Sequence, residues 1–85
     1  MKFIQIDKEG REENTTLFIP ISNIRYIEES YSPVHLRIVY DNGKSISGYP
    51  DSDDYNSSKL NDFLGDETHV FTVFLSYKHY SPMEN

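Results

Sequence analysis

The chain has no cysteine. Neither a disulfide nor a thiolate metal site can therefore stabilise it. No stretch approaches the roughly 18 apolar residues that a membrane-spanning helix needs. The apolar run at the N-terminus is broken by Gln5 and stopped by Asp7-Lys8-Glu9. That is not the pattern of a signal peptide, so a cytoplasmic location is the expectation. Positive charge is scarce: 8 Lys and Arg stand against 14 Asp and Glu, for a net charge of −6. The basic residues are scattered from Lys2 to Lys78 without a cluster. A phosphate backbone is bound by Lys and Arg gathered on one face, so nucleic acid is disfavoured as a partner. An acidic balance suits solubility, or else attraction to a basic partner or mimicry of nucleic acid. Internal repeats and low-complexity tracts are also missing.

Motifs for chemistry fail on spacing. The acidic stretch 51–54 invites a Ca²⁺ reading, but an EF-hand loop needs oxygen ligands at positions 1, 3 and 5, Gly at 6 and Glu at 12. Counting from Asp51, those last three places hold Tyr55, Asn56 and Asp62. A solvated loop that caps a helix is the expectation there. The three histidines, His35, His69 and His79, do not fall at metal-ligand spacing. No Gly-x-Ser-x-Gly elbow occurs. Gly43-Lys44-Ser45 echoes the end of a P-loop, but Ile38 stands where its first glycine belongs. No catalytic residue, metal ligand or cofactor site is assigned.

What is present is a β-rich pattern around residues 34–49. Asn42-Gly43 between two strand-forming runs is a strong hairpin signal, because a type I′ turn needs φ > 0 at both central residues. A two-residue turn pairs Val39 with Ile46 and Leu36 with Tyr49. It puts Val34, Leu36, Ile38, Tyr40 and Tyr49 on a core face. Val39 and Ile46 then share the opposite face with His35, Arg37, Asp41, Lys44 and Gly48. Such an aliphatic pair ringed by charge needs cover, from the strand at 68–77 or from a second molecule.

The remaining elements follow the same periodicities. Residues 2–6, 15–19 and 24–28 read as strands, with 7–14 a polar loop and 21–23 a tight turn. Phe3 points away from Ile4 and Ile6; Ile24 and Tyr26 share one face, Arg25 and Ile27 the other. Leu60, Phe63 and Leu64 form one apolar stripe on a short helix over 55–64, with Asp53, Asp54 or Ser57 as N-cap and Gly65 just past its end. The apolar run at 68–77 predicts a strand covered on both faces. The seven tyrosines suit partly buried positions and interfaces.

The segment Ile24-Arg25-Tyr26-Ile27-Glu28, then the hairpin, then 60–64, resembles two bacterial families. One is the LytTR-type DNA-binding domain, in which an I-x-Y-I-E strand precedes a hairpin and a helix. The other is the small flagellar and swarming motility proteins, with an I-x-x-I-E … N-G core. Each likeness spans about half of the chain. Where the LytTR pattern continues into a basic His-Arg-Ser-Tyr segment, this chain has Phe74-Leu75-Ser76-Tyr77-Lys78. The resemblance implies a compact sheet with one helix rather than an activity.

The expected fold is α+β: a small, mostly antiparallel sheet of about six strands with one short helix packed on it. Residues 1–77 form the single domain and 78–85 a flexible tail. The expected function is non-enzymatic: a small acidic binding or regulatory module acting by protein–protein contact, for instance a phage-type inhibitor of a host protein. The alternatives are a nucleotide-binding oligomer and a LytTR-like DNA-binding domain. The candidate interface is His35, Arg37, Val39, Ile46, Tyr31 and Tyr55; the expected partner is another protein, basic in character, with homo-oligomerisation a further means of stabilising so small a domain. Gly43→Val should lower stability by about 1–2 kcal/mol, because a β-branched residue resists φ > 0. Chemical unfolding of both proteins checks it; equal midpoints mean that the turn lies elsewhere.

Overall fold

A computed structural model describes residues 1–51 and 55–79. The expected caps Asp53 and Asp54 and most of the expected tail, 80–85, lie outside the described residues. The strands are β1 (Phe3–Glu9), β2 (Asn14–Pro20), β3 (Ile24–Ser30), β4 (His35–Tyr40), β5 (Lys44–Pro50) and β6 (Val70–Ser76), with one helix, α1 (Ser57–Gly65), between the last two. They form one six-stranded sheet in the order β2-β1-β6-β5-β4-β3. The sheet is mixed. β1 and β6 are parallel, because α1 carries the chain back across the sheet before β6 starts. The other pairs are antiparallel.

Consecutive strands β2 and β3 are the two opposite edges, yet only the turn Ile21–Asn23 joins them. In a flat sheet those edges lie roughly 24 Å apart, at about 4.8 Å per strand. The chain from Pro20 to Ile24 reaches about 14 Å at most. The sheet must therefore curl. It does so at its centre, where β5 and β6 share only the pairs Tyr49↔Ser76 and Pro50↔Leu75. Gly48 sits at this junction. A Cβ there would lie 2.8 Å from the Ser76 carbonyl oxygen and 2.9 Å from the Leu75 Cβ.

The curl brings both halves of the sheet onto one core. Ile4, Ile6, Ile19, Val73 and Leu75 come from one half, Leu36 and Ile38 from the other. Leu60 and Phe63 of α1 and Tyr55 complete it. A cavity of about 10 Å³ remains between the halves and the helix, walled by aliphatic and aromatic side chains such as Ile27, Leu36 and Phe71. Too small and too apolar to hold a bonded water, it marks close packing.

Three expectations are corrected by this packing. First, the hairpin register is shifted by one residue. Asn42 and Gly43 do take positive φ, 59° and 85°. Asp41 joins them in a three-residue loop, so Tyr40 pairs with Lys44 and Ile38 with Ile46, not Val39 with Ile46. The two-residue turn would have aimed Ser45, Ser47 and Tyr49 at the core. The observed register aims Ile46 and Gly48 there instead, so burial overrides the shortest turn. Second, the expected helical stripe is narrower: Leu60 and Phe63 are buried, but Leu64 is 47% exposed. Asn56 is the N-cap, its side-chain oxygen accepting from the Lys59 N–H at 2.9 Å, and Gly65 is the last helical residue. Third, a bulge between Ile24 and Tyr26 puts Ile24 and Ile27 on the same side against the core, leaving Tyr26 outside.

The strands also run further than their apolar cores suggest, so the expected 7–14 loop shrinks to a turn closed by Gly10 N–H donating to the Glu13 carbonyl. Lys2 ties α1 to the sheet: its ammonium donates to the Phe63 carbonyl and, at 2.8 Å, to that of Thr68, and lies 4.5 Å from the Phe63 ring centre. A cation at a helix C-terminus meets carbonyls that have no helical partner.

Phe63→Ala should cost about 3–5 kcal/mol and Leu60→Ala about 2–5, whereas Leu64→Ala should stay within about 0.5. Urea unfolding of the three variants measures the difference; a Leu64 variant as weak as Leu60→Ala contradicts this orientation of α1.

Candidate interaction surface

Strand alternation gives the sheet a second face, and α1 covers only the inner one. On the outer face the register lines up Pro20, Phe3 and Val70, then Phe18, Gln5 and Thr72, then Thr16, Asp7 and Phe74. Phe18 is 62% exposed, Phe74 39% and Val70 37%. The Phe3 and Phe18 rings meet edge to face, 6.5 Å between centres. The expectation that the last strand is covered on both faces is thereby corrected: Val73 and Leu75 are buried, while Val70, Thr72 and Phe74 face outward uncovered.

Carboxylates are interleaved with these side chains. Asp7 accepts from Thr16 Oγ1 at 3.1 Å and from Gln5 Nε2 at 3.2 Å. Glu9 accepts from the buried Ser76 hydroxyl at 2.6 Å. The face is thus apolar and acidic together.

Across the junction the outer face continues with His35, Arg37 and Val39. His35 lies edge-on to Tyr49, 4.9 Å between ring centres, and His79 packs on the same tyrosine at 5.6 Å. Tyr49 is therefore an outer-face residue, not the core residue expected from the two-residue turn. Arg37 pairs with Glu28 across the strands, a half-exposed pair that contributes little stability. Val39 is buried and stands outside the main core.

The structure thus gathers His35, Arg37 and Val39 on one face and separates the other three candidates from them. Ile46 points inward against the core, and Tyr55 is buried in it. Tyr31 is 65% exposed in the loop after β3. Tyr55 donates to Glu29 Oε2 at 2.9 Å, and Tyr31 reaches the same oxygen at 3.5 Å. Burial, then the hydrogen bond to the Glu29 carboxylate, push the Tyr55 phenol far above the ordinary tyrosine range. At the other end of the helix, the Thr68 N–H donating to Asp66 at 2.7 Å holds that carboxyl below its usual range, with Lys2 adding to the effect.

Phe3, Phe18, Val70 and Phe74 lie outside the expected interface. The available signal is alternation: in β2, Leu17 and Ile19 claim the core face, which leaves Phe18 outside. Among the described residues, no three His, Asp or Glu side chains lie together as metal ligands, and no helix is long and apolar enough to cross a membrane. Comparison with protein-family models, with curated proteins and with solved structures finds no match to this chain.

The Tyr55 contact has a pH signature. Because the folded phenol resists ionisation, its contribution is complete below the unfolded tyrosine value of about 10 and declines as pH rises past it. Tyr55→Phe should cost about 1–2 kcal/mol near neutrality through the lost hydrogen bond. Above about pH 10 the parent should lose stability more steeply than the variant. Parallel slopes in alkaline thermal melts would contradict the buried placement of the phenol.

Proposed function

We propose that this chain is a non-enzymatic binding module that regulates another protein by direct contact. The supporting observation is the outer face of β2, β1 and β6, where Phe18, Val70 and Phe74 stand exposed and Asp7, which pairs with Phe74 and Thr16, adds a carboxylate to the same face. Exposed aromatic rings are the side chains that interfaces recruit. The carboxylates and the net charge of −6 select a basic partner. An acidic inhibitor that covers a basic site on its target is the concrete form of this reading.

Affinity capture from a bacterial lysate tests it with three baits: the parent chain, Val70→Thr/Phe74→Thr, and Asn61→Ala on the exposed side of α1. A basic protein retained by the parent and by Asn61→Ala, lost from the double variant and released by salt, is the expected result. Retention by all three baits removes the sheet face from the interaction. A nucleotide-dependent rise in melting temperature, or a DNA mobility shift that fades with salt, would favour the ligand-binding or DNA-binding alternative.

A further inference from the structure

The two edges of the sheet differ. β3 is protected by its bulge and by the charges of Arg25, Glu28 and Glu29, the usual devices that stop edge strands from pairing. β2 has seven residues in unbroken register with β1, no bulge, and not one charged side chain. Pro20, at its very end, is its one blocking residue.

The hydrogen-bond phase of β2 follows from its two ends. Ile21 N–H donates to the Lys2 carbonyl, and Gly10 N–H to that of Glu13. Antiparallel pairs alternate. Thr15, Leu17 and Ile19 therefore bond to β1, while the N–H and C=O groups of Thr16 and Phe18 point away from the sheet. Among the described residues no backbone group meets them. After β6 the chain leads His79 over Tyr49, toward the other half of the sheet and away from this edge.

We infer that β2 pairs antiparallel with β2 of a second copy, about a two-fold axis through Leu17. Full overlap of the strand places the axis there. Thr16 then exchanges both backbone bonds with Phe18 of the second copy, and Phe18 with its Thr16. The Phe18 rings become diagonal neighbours on the outer face, within reach of each other. Charge selects a like partner at this edge. Two chains of net charge −6 repel everywhere except where they are neutral, and antiparallel pairing sends the acidic Glu12-Glu13 turns to opposite ends. The dimer joins the two Phe3–Phe18 surfaces into one continuous face. This inference stands apart from the partner proposed above: it needs no basic protein and predicts an association that salt does not weaken.

Sedimentation equilibrium of the pure chain over a range of concentrations, at low and high salt, reads the mass directly. The expected result is a reversible monomer–dimer equilibrium that salt leaves unweakened. Thr16→Pro removes an outward N–H without touching the bonds to β1, and should return the monomer; Thr16→Lys, which carries no backbone strain, should do the same with unchanged circular dichroism. Leu17→Cys gives an independent reading, since the chain has no other thiol. At the axis the paired Cα atoms lie about 4.5 Å apart, inside the roughly 4.4–6.8 Å that a disulfide spans. It should cross-link under mild oxidation, and Arg25→Cys on β3 should not. A monomer at every concentration overturns the inference. So does a dimer that survives in folded Thr16→Lys, or cross-linking through Arg25→Cys in place of Leu17→Cys.

Discussion

A three-residue turn between the two edges of one sheet constrains everything else in this protein. Ile21–Asn23 is too short to cross a flat six-stranded sheet. The sheet curls, and curling puts the inner faces of its two halves against a common core. Two pairs of residues between β5 and β6 hold the bend, and the chains come close there only because Gly48 has no side chain. One helix then suffices to close the core, with Lys2 fastening its C-terminal end to the start of β1.

The same geometry produces the surface on which function is proposed. Among the described residues one short helix covers one face, which leaves the outer face to be polar or partnered. It is polar over β5, where Ser45 and Ser47 point outward. It is aromatic over β2, β1 and β6. A chain of 85 residues has little apolar surface to spare. Placing Phe18 and Phe74 in solvent gives up core burial that it could have used. That is the physical reason we propose the face as a contact surface, and its acidic side chains as selectors of a basic partner.

Much of the architecture is legible from local chemistry. Strand-forming runs, turn residues and the Leu60-Phe63 spacing locate all six strands and the helix, because propensity and periodicity act over a few residues. Asn42-Gly43 marks the positive-φ corner of the hairpin correctly. The candidate site was less legible. His35, Arg37 and Val39 share a face as alternation requires, but a two-residue turn aims Ile46 outward where the observed three-residue turn aims it at the core, and no local periodicity signals the burial of Tyr55. Alternation puts Phe18 and Phe74 on the face opposite the core, but nothing local says whether that face is covered.

Sequence by itself determined which segments extend, which coil and where the chain reverses, since steric limits on φ and ψ and side-chain alternation are properties of neighbours. Tertiary structure alone decided the register of the central hairpin, the parallel pairing of β1 with β6, and the face left bare. Each depends on which residues, distant in sequence, compete for one small core. Ile46 won its place there over Ser45 and Ser47 because burying an aliphatic side chain is favourable and burying a hydroxyl is not.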